Sequence, residues 1–202
     1  MLGLPEKTEL RKQIAKVHFV THGDFKRGEQ SRFDDYVSSV YVVNEINSHN
    51  VAVSDDGDIK HFYVLLVEVK TKKLDDTSLK IVERTIKQRK ILVLKYGDEY
   101  KCLAYYGSLV QTDWGPLGTF NITLQGTTVT ALWESVIKQL GDIRVDEGKT
   151  LTEQIKDNEQ RAKLEKEIER LESKSRKANQ VKEKMEYHQK AVALRKLLDV
   201  KS

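Results

Sequence analysis

A chain of 202 residues is long enough for one domain with a sizeable core plus an extension. A single cysteine, Cys102, excludes an intrachain disulfide and a cysteine-rich zinc site, and suits a reducing compartment. The net charge of +4 is too small to point to nucleic acid by itself.

In chain order, residues 6–19 read as a short helix, with Leu10, Ile14 and Val17 at helical spacing and Pro5 at its start. Residues 21–31 (THGDFKRGEQS) are loop-like, and a short helix over 32–39 follows. The β-branched and aromatic density of 40–46 (VYVVNEI) predicts a strand. SDDGD at 54–58 is a strong turn signal, because Asp and Gly tolerate the backbone a hairpin turn needs.

Residues 59–70 (IKHFYVLLVEVK) form the clearest strand, with both faces covered along its uninterrupted apolar run at 64–67. A helix over 77–87 shows Leu79, Val82 and Ile86 on one side. KILVLKYGDEYKCLAYYGS reads as two strands joined at Gly97 and Asp98, and 119–124 (TFNITL) as a further strand. The best amphipathic helix spans 128–140. Its stripe is Val129, Leu132, Trp133, Val136, Ile137 and Leu140, its N-cap Thr127 or Thr128, and its stop Gly141. Helices and strands in this order indicate an α+β domain, with an antiparallel or mixed sheet covered by helices.

At Gly148 the composition changes. Residues 149–202 hold no glycine, proline, phenylalanine or tryptophan, and from 159 onward carry thirteen Lys/Arg against eight Asp/Glu. Leu151 and Ile155, then Leu164, Ile168 and Leu171, then Val181, Met185, Ala191, Leu194 and Leu198 mark a coiled-coil seam. The spacing lapses over 173–180 (SKSRKANQ), which predicts a helical hairpin turning there. One continuous helix would run roughly 75 Å and would require dimerisation. The expected organisation is therefore a globular domain at 1–148 and a coiled-coil extension at 149–202, with a homo-oligomer through the coiled coil as one option.

Several stretches in the same order resemble a bacterial family of uncharacterised proteins, the domain of unknown function 4391. They are LGLPEKTELRKQI, VEVKTKKLDDTSLKIVERTI, KILVLKYGDEYKCLAYY, QTDW, the helix ending IKQLG, and KEIERLESKSRKANQVKEKMEYHQKAVALRKLL. The resemblance implies context rather than chemistry. Such proteins are typically encoded beside a large helicase and a site-specific DNA methyltransferase, in loci of restriction or phage-defence type. It transfers no catalytic residue. The expectation is a non-catalytic accessory subunit that meets the helicase or methyltransferase, and DNA, without a cofactor or metal.

The alternative starts from Glu68 and Lys70. Two apart on a strand, they share a face, as in metal-dependent nucleases of the PD-(D/E)xK type. There the carboxylate helps hold Mg²⁺ and the lysine orients the attacking water. Asp55, Asp56 and Asp58 lie at the other end of the strand, roughly 33 Å from Glu68 for Asp58, and cannot share its metal. Pairing centred on Gly57 would instead bring Glu45 beside Glu68 as the second ligand. The bland reading makes Glu68 and Lys70 the polar end of a strand.

Lys174, Arg176, Lys177, Lys182 and Lys184 cluster at the expected hairpin tip, where they suit DNA phosphates or an acidic partner. The five histidines are scattered without metal-site spacing, and no phosphate-cradling glycine loop is present. The opening MLGLPEKTEL lacks the build of a signal peptide, and the longest apolar run, at 62–67, is too short to cross a bilayer. A cytoplasmic protein without a membrane segment is expected.

Overall fold

The computed structural model describes residues 2–55 and 57–200, with backbone alone at 199 and 200. It forms two compact units, 1–144 and 145–202.

The first unit is built on a seven-stranded mixed sheet whose path follows chain order, β1 to β6, with β7 beside β5. The strands are β1 (Glu9–Ile14), β2 (Val37–Asn47), β3 (His61–Val69), β4 (Arg89–Tyr96), β5 (Glu99–Tyr106), β6 (Ser108–Gln111) and β7 (Gly115–Pro116). Every pairing is antiparallel except β3 with β4. Parallel neighbours need a crossover, and α4 (Asp76–Thr85) supplies it.

Two cores follow from the alternation of side chains along the strands. On one face Val40, Leu65, Val67, Val69, Leu92, Leu94 and Leu103 pack with Phe19 of α1 (Lys16–His22), Phe33 and Tyr36 of α2 (Glu29–Tyr36), and Leu79, Ile81 and Val82 of α4. On the other, Phe62 meets Trp133 of α5 (Val129–Gly141) with ring centroids 5.2 Å apart. Ile91, Val93, Cys102 and Ala104 are buried on that second face. Each Val, Leu or Ile among them contributes about 1.5–3 kcal/mol when fully buried.

Several elements differ from the sequence reading. In place of one helix over 6–19 there is a 3-10 turn at Glu6–Thr8, then β1, then α1. The β1–β2 register shifts between Glu9 and Lys12, and Arg11 takes a positive φ of 48°. That bulge breaks the period-two alternation and leaves a spacing that imitates a helix. Leu10 and Val17, read as residues at helical spacing, are 49% and 65% exposed.

The β2–β3 connection is no tight hairpin. It contains a helical turn, α3 (Ser48–Val51), whose N-cap Asn47 accepts from the amides of His49 and Asn50. Gly57 lies in this connection at a φ of 129°, and Asp56 lies outside the described residues. No strand forms over 119–124. Thr123 exchanges both backbone hydrogen bonds with the Gln139 side-chain amide, and Ile122 N–H donates to the Leu2 carbonyl. A side chain thus supplies the pairing a strand would have found. β6 and β7, by contrast, had no sequence counterpart. Thr128 caps α5 through the Ala131 amide, but the left-handed residue that ends the helix is Asp142, one past Gly141.

The second unit is a helical hairpin, α6 (Leu151–Lys177) and α7 (Val181–Val200), joined at 178–180. A capping box between Thr150 and Glu153 starts α6. Ile168, Leu171 and Ala191 are buried against Tyr187, Leu194 and Leu198. Val181 and Met185 do not join the seam; they are 74% and 58% exposed. At 100° per residue they lie about 130° around α7 from the seam line of Tyr187, Ala191, Leu194 and Leu198. Near the turn the hairpin is closed instead by the Ser175 hydroxyl, which donates to the Lys184 carbonyl at 3.0 Å. Among the described residues no helix is long and apolar enough to cross a membrane.

The crossover helix is pinned at both ends. Asp75 caps its start, accepting from the Ser78 amide and hydroxyl at 2.9 and 2.6 Å. Beyond its end the Lys90 ammonium, wholly buried, donates to the carbonyls of Glu83, Ile86 and Gln88 at 3.2, 2.6 and 3.2 Å. Its ion pair with the Glu83 carboxylate is 2.9 Å long. Burial depresses the lysine pKa below the ordinary value, and Glu83 pulls it back. Lys90→Met keeps the length of the side chain but strands these acceptors. A loss of about 2–4 kcal/mol in urea unfolding is expected.

Candidate functional site

The polar end of the sheet lies where β3 and β4 finish and β2 begins. Pairing register sets Ser39, Glu68, Lys95 and Tyr100 in one row across β2, β3, β4 and β5. The Glu68 carboxylate accepts from the Ser39 hydroxyl at 2.6 Å and from the Lys95 ammonium at 3.0 Å. These bonds, Ser39 first and then Lys95, hold the Glu68 carboxyl below the usual carboxylate pKa. Glu68 in turn raises Lys95.

Lys70 sits just past the end of β3. Its ammonium donates to the Asp34 carbonyl at 2.7 Å, and its amide to the Tyr36 carbonyl at 2.9 Å. Glu68 and Lys70 thus have separate partners, Glu68 within the sheet and Lys70 at the end of α2.

Glu45 does not approach Glu68. It pairs with Tyr63, five residues earlier on β3, or roughly 17 Å away at strand rise. Five is an odd separation, so Glu45 also lies on the other face of the sheet. The reason is register. The final pair, Asn47 with His61, centres the connection on Ser54 rather than Gly57, and three residues of offset move the partner of Glu45 by six, from residue 69 to Tyr63. Asp55 and Asp58 belong to that connection, at the far end of β3 from Glu68. Among the described residues, no group of three or more His, Cys, Asp or Glu is placed to hold a metal ion.

Glu68 also borders an open cleft of about 540 Å³ on the second sheet face, with Tyr41, Val43, Leu66 and Leu117 as its apolar floor. Glu9 and Arg11 form the rim and pair with each other at 2.7 Å. Sequence reasoning missed Ser39, Lys95 and this cleft. A signal existed: LLVEVK and ILVLKY both run apolar and then turn charged at the same end, as parallel neighbours with a common polar end do.

The hairpin tip gathers the other candidates. Lys174, Arg176, Lys177, Lys182 and Lys184 are all exposed, the first three in the last turn of α6 and the others at the start of α7. Lys174 lies over the Tyr187 ring, 5.7 Å from its centroid. Cations in the last turn of α6 also face the negative end of its dipole, a structural role requiring no ligand. At the other end of the unit, a polar cleft of about 380 Å³ includes Lys149, which pairs with both Asp146 and Asp157 at 3.0 Å. Lys149 thus ties both carboxylates of this cleft.

Burial pushes the Cys102 thiol up to about 12, so it is not a nucleophile at neutral pH. His18 and His22 stack with ring centroids 4.4 Å apart, one helical turn from each other.

The row predicts an acid signature. Glu68 titrates lower in the folded chain than in the unfolded one, so its stabilisation is present above the ordinary carboxylate pKa of 4.5 and lost as pH falls through the lowered value. Thermal unfolding followed from about pH 6 to about pH 3 should show a shallower acid limb in Glu68→Gln than in the parent. Identical limbs would mean that Ser39 and Lys95 do not hold the carboxylate in solution.

The chain belongs to the family described as Domain of unknown function (DUF4391), whose model matches residues 2–198. No curated protein and no solved structure matches it.

Proposed function

We propose that this chain is a non-catalytic accessory subunit of a phage-defence or restriction-type complex in the cytoplasm. Its partners would be the helicase or DNA methyltransferase typically encoded beside members of this family. The observation that carries the reading is the two-helix arm with five exposed cations at its turn. A helical arm holds charge away from its own seam, and clustered Lys and Arg neutralise phosphates with little sequence preference. The tip has no interleaved aromatic cluster for base stacking, which favours backbone contact over base readout.

The rival, a Mg²⁺-dependent nuclease subunit using Glu45, Glu68 and Lys70, receives less support. Its two carboxylates stand on opposite faces, and the Glu68 oxygens are taken by a hydroxyl and an ammonium. Glu68 and Lys70 fit better as ties at the polar end of a strand.

Affinity capture from the native host tests the subunit reading directly: a helicase or methyltransferase should co-purify, and its absence would sink the reading. Within the captured complex, changing Lys174, Arg176, Lys177, Lys182 and Lys184 to glutamine should weaken DNA binding. The salt slope should flatten by up to about 0.9 per lost phosphate contact. Helicity should hold, because glutamine propagates helix about as well as lysine. Unchanged binding and slope would leave the tip a solvated surface.

Glu68→Ala with Lys70→Ala should leave the activity of the intact locus largely unchanged. Mg²⁺-dependent cleavage of DNA by the purified chain, abolished in that double variant, would establish the nuclease instead.

A further inference from the structure

The outer face of α7 carries a second apolar line that the hairpin does not use. Tyr187, Ala191, Leu194 and Leu198 face α6. Val181, Met185 and Val192 follow at spacings of four and seven, which puts them within about 40° of one another on the helix. Val181 and Met185 are exposed, and Val192 is half-buried. Around Val192 the helix surface forms a groove of about 390 Å³ with His188, Gln189, Ala193 and Lys196.

Over 181–196 the charged residues of α7 that flank this line are basic, and one of them, Arg195, is paired with Glu172 of α6. Lys182, Lys184 and Lys196 flank it and are exposed. The acidic residues of the same stretch, Glu183 and Glu186, fall more than about 100° away around the helix. The face is therefore an apolar ridge and groove in a cationic frame.

That pattern discriminates among occupants. A second copy laid antiparallel on the same face would set Lys182 and Lys184 near Lys196 of its mate, a like-charge arrangement that disfavours self-pairing. An anionic bilayer takes a broad apolar face with Trp, Phe or Leu, whereas this line has three aliphatic side chains and no aromatic. DNA phosphates would leave Val181 and Met185 in water. A helix with an apolar ridge flanked by Asp and Glu satisfies both the groove and its frame.

We propose that the outer face of α7 is a docking groove for an acidic amphipathic helix of a partner protein. The proposal deepens the subunit reading and rests on it only for the existence of a partner.

The test uses the full chain and two fluorescent synthetic helical peptides with the same leucine ridge, one flanked by glutamates and one by lysines. The glutamate peptide should bind at least about tenfold more tightly than the lysine peptide by anisotropy titration. Val181→Glu with Met185→Glu should weaken it by at least about tenfold, while helicity and unfolding midpoint stay put because neither residue faces α6. Met185→Ser, which adds no charge, should weaken it less and in the same direction.

Equal affinity for the two peptides, or binding unmoved by the double variant, would overturn the proposal. So would a dimer that the double variant dissolves, or attachment to phosphatidylserine vesicles lost in that variant, since each names another occupant. The two readings fail separately. A host capture without helicase or methyltransferase removes the subunit reading and leaves the peptide result standing.

Discussion

The parallel pairing of β3 with β4 is the constraint on which the first unit depends. Antiparallel neighbours can be joined by a turn, but parallel ones require the chain to travel back along the sheet. Here α4 makes that journey between Val69 and Arg89, held by the Asp75 cap at one end and the buried Lys90 ammonium at the other. Pinned so, it presents Leu79, Ile81 and Val82 to Leu65, Val67, Leu92 and Leu94. The same pairing fixes Glu68 opposite Lys95. Core and polar row are therefore two results of one register.

The sheet edges are guarded against strand addition. β1 bulges at Leu10 and Arg11 and exposes Arg11 and Lys12 along its length, while β6 at the other end is four residues long. Bulges, charge and brevity each discourage another strand from pairing there. The basic turn of the hairpin and the outer face of α7 are exposed as side-chain surfaces instead. Both belong to the unit in which, among the described residues, the seam cluster has three buried apolar side chains. A hairpin with so thin a seam gains stability from any partner that covers a further face.

The polar row shows how a motif depends on its neighbours. Glu-Val-Lys at a strand end is compatible with a metal site only when the adjoining strand contributes acid. In this chain β2 offers Ser39 and β4 offers Lys95, which turn the carboxylate inward to hydrogen bonds. Two residues that read alike in sequence, Glu68 and Lys70, end on different supports. The strand stops at Val69, and Lys70 follows the backbone to α2.

Long periodic segments were legible from sequence alone: β3, the β4–β5 hairpin at Gly97, α4, α5 with its Thr128 cap, the break in composition near Gly148, and the turn between α6 and α7. Each rests on local chemistry, such as alternation, helical spacing, caps and turn residues, that acts over a few positions. What only the tertiary structure decided was pairing. Register placed Ser39 rather than Glu45 beside Glu68, because a helical turn capped by Asn47 displaced the centre of a connection that Gly57 had seemed to mark. A bulge at Arg11 made an edge strand imitate a helix, and the Gln139 amide replaced a strand at Thr123. Helical phase sent Val181 and Met185 outward and brought Tyr187 to the seam. Local patterns state which side chains can share a face. Which partner meets that face depends on residues far along the chain, and no short window contains them.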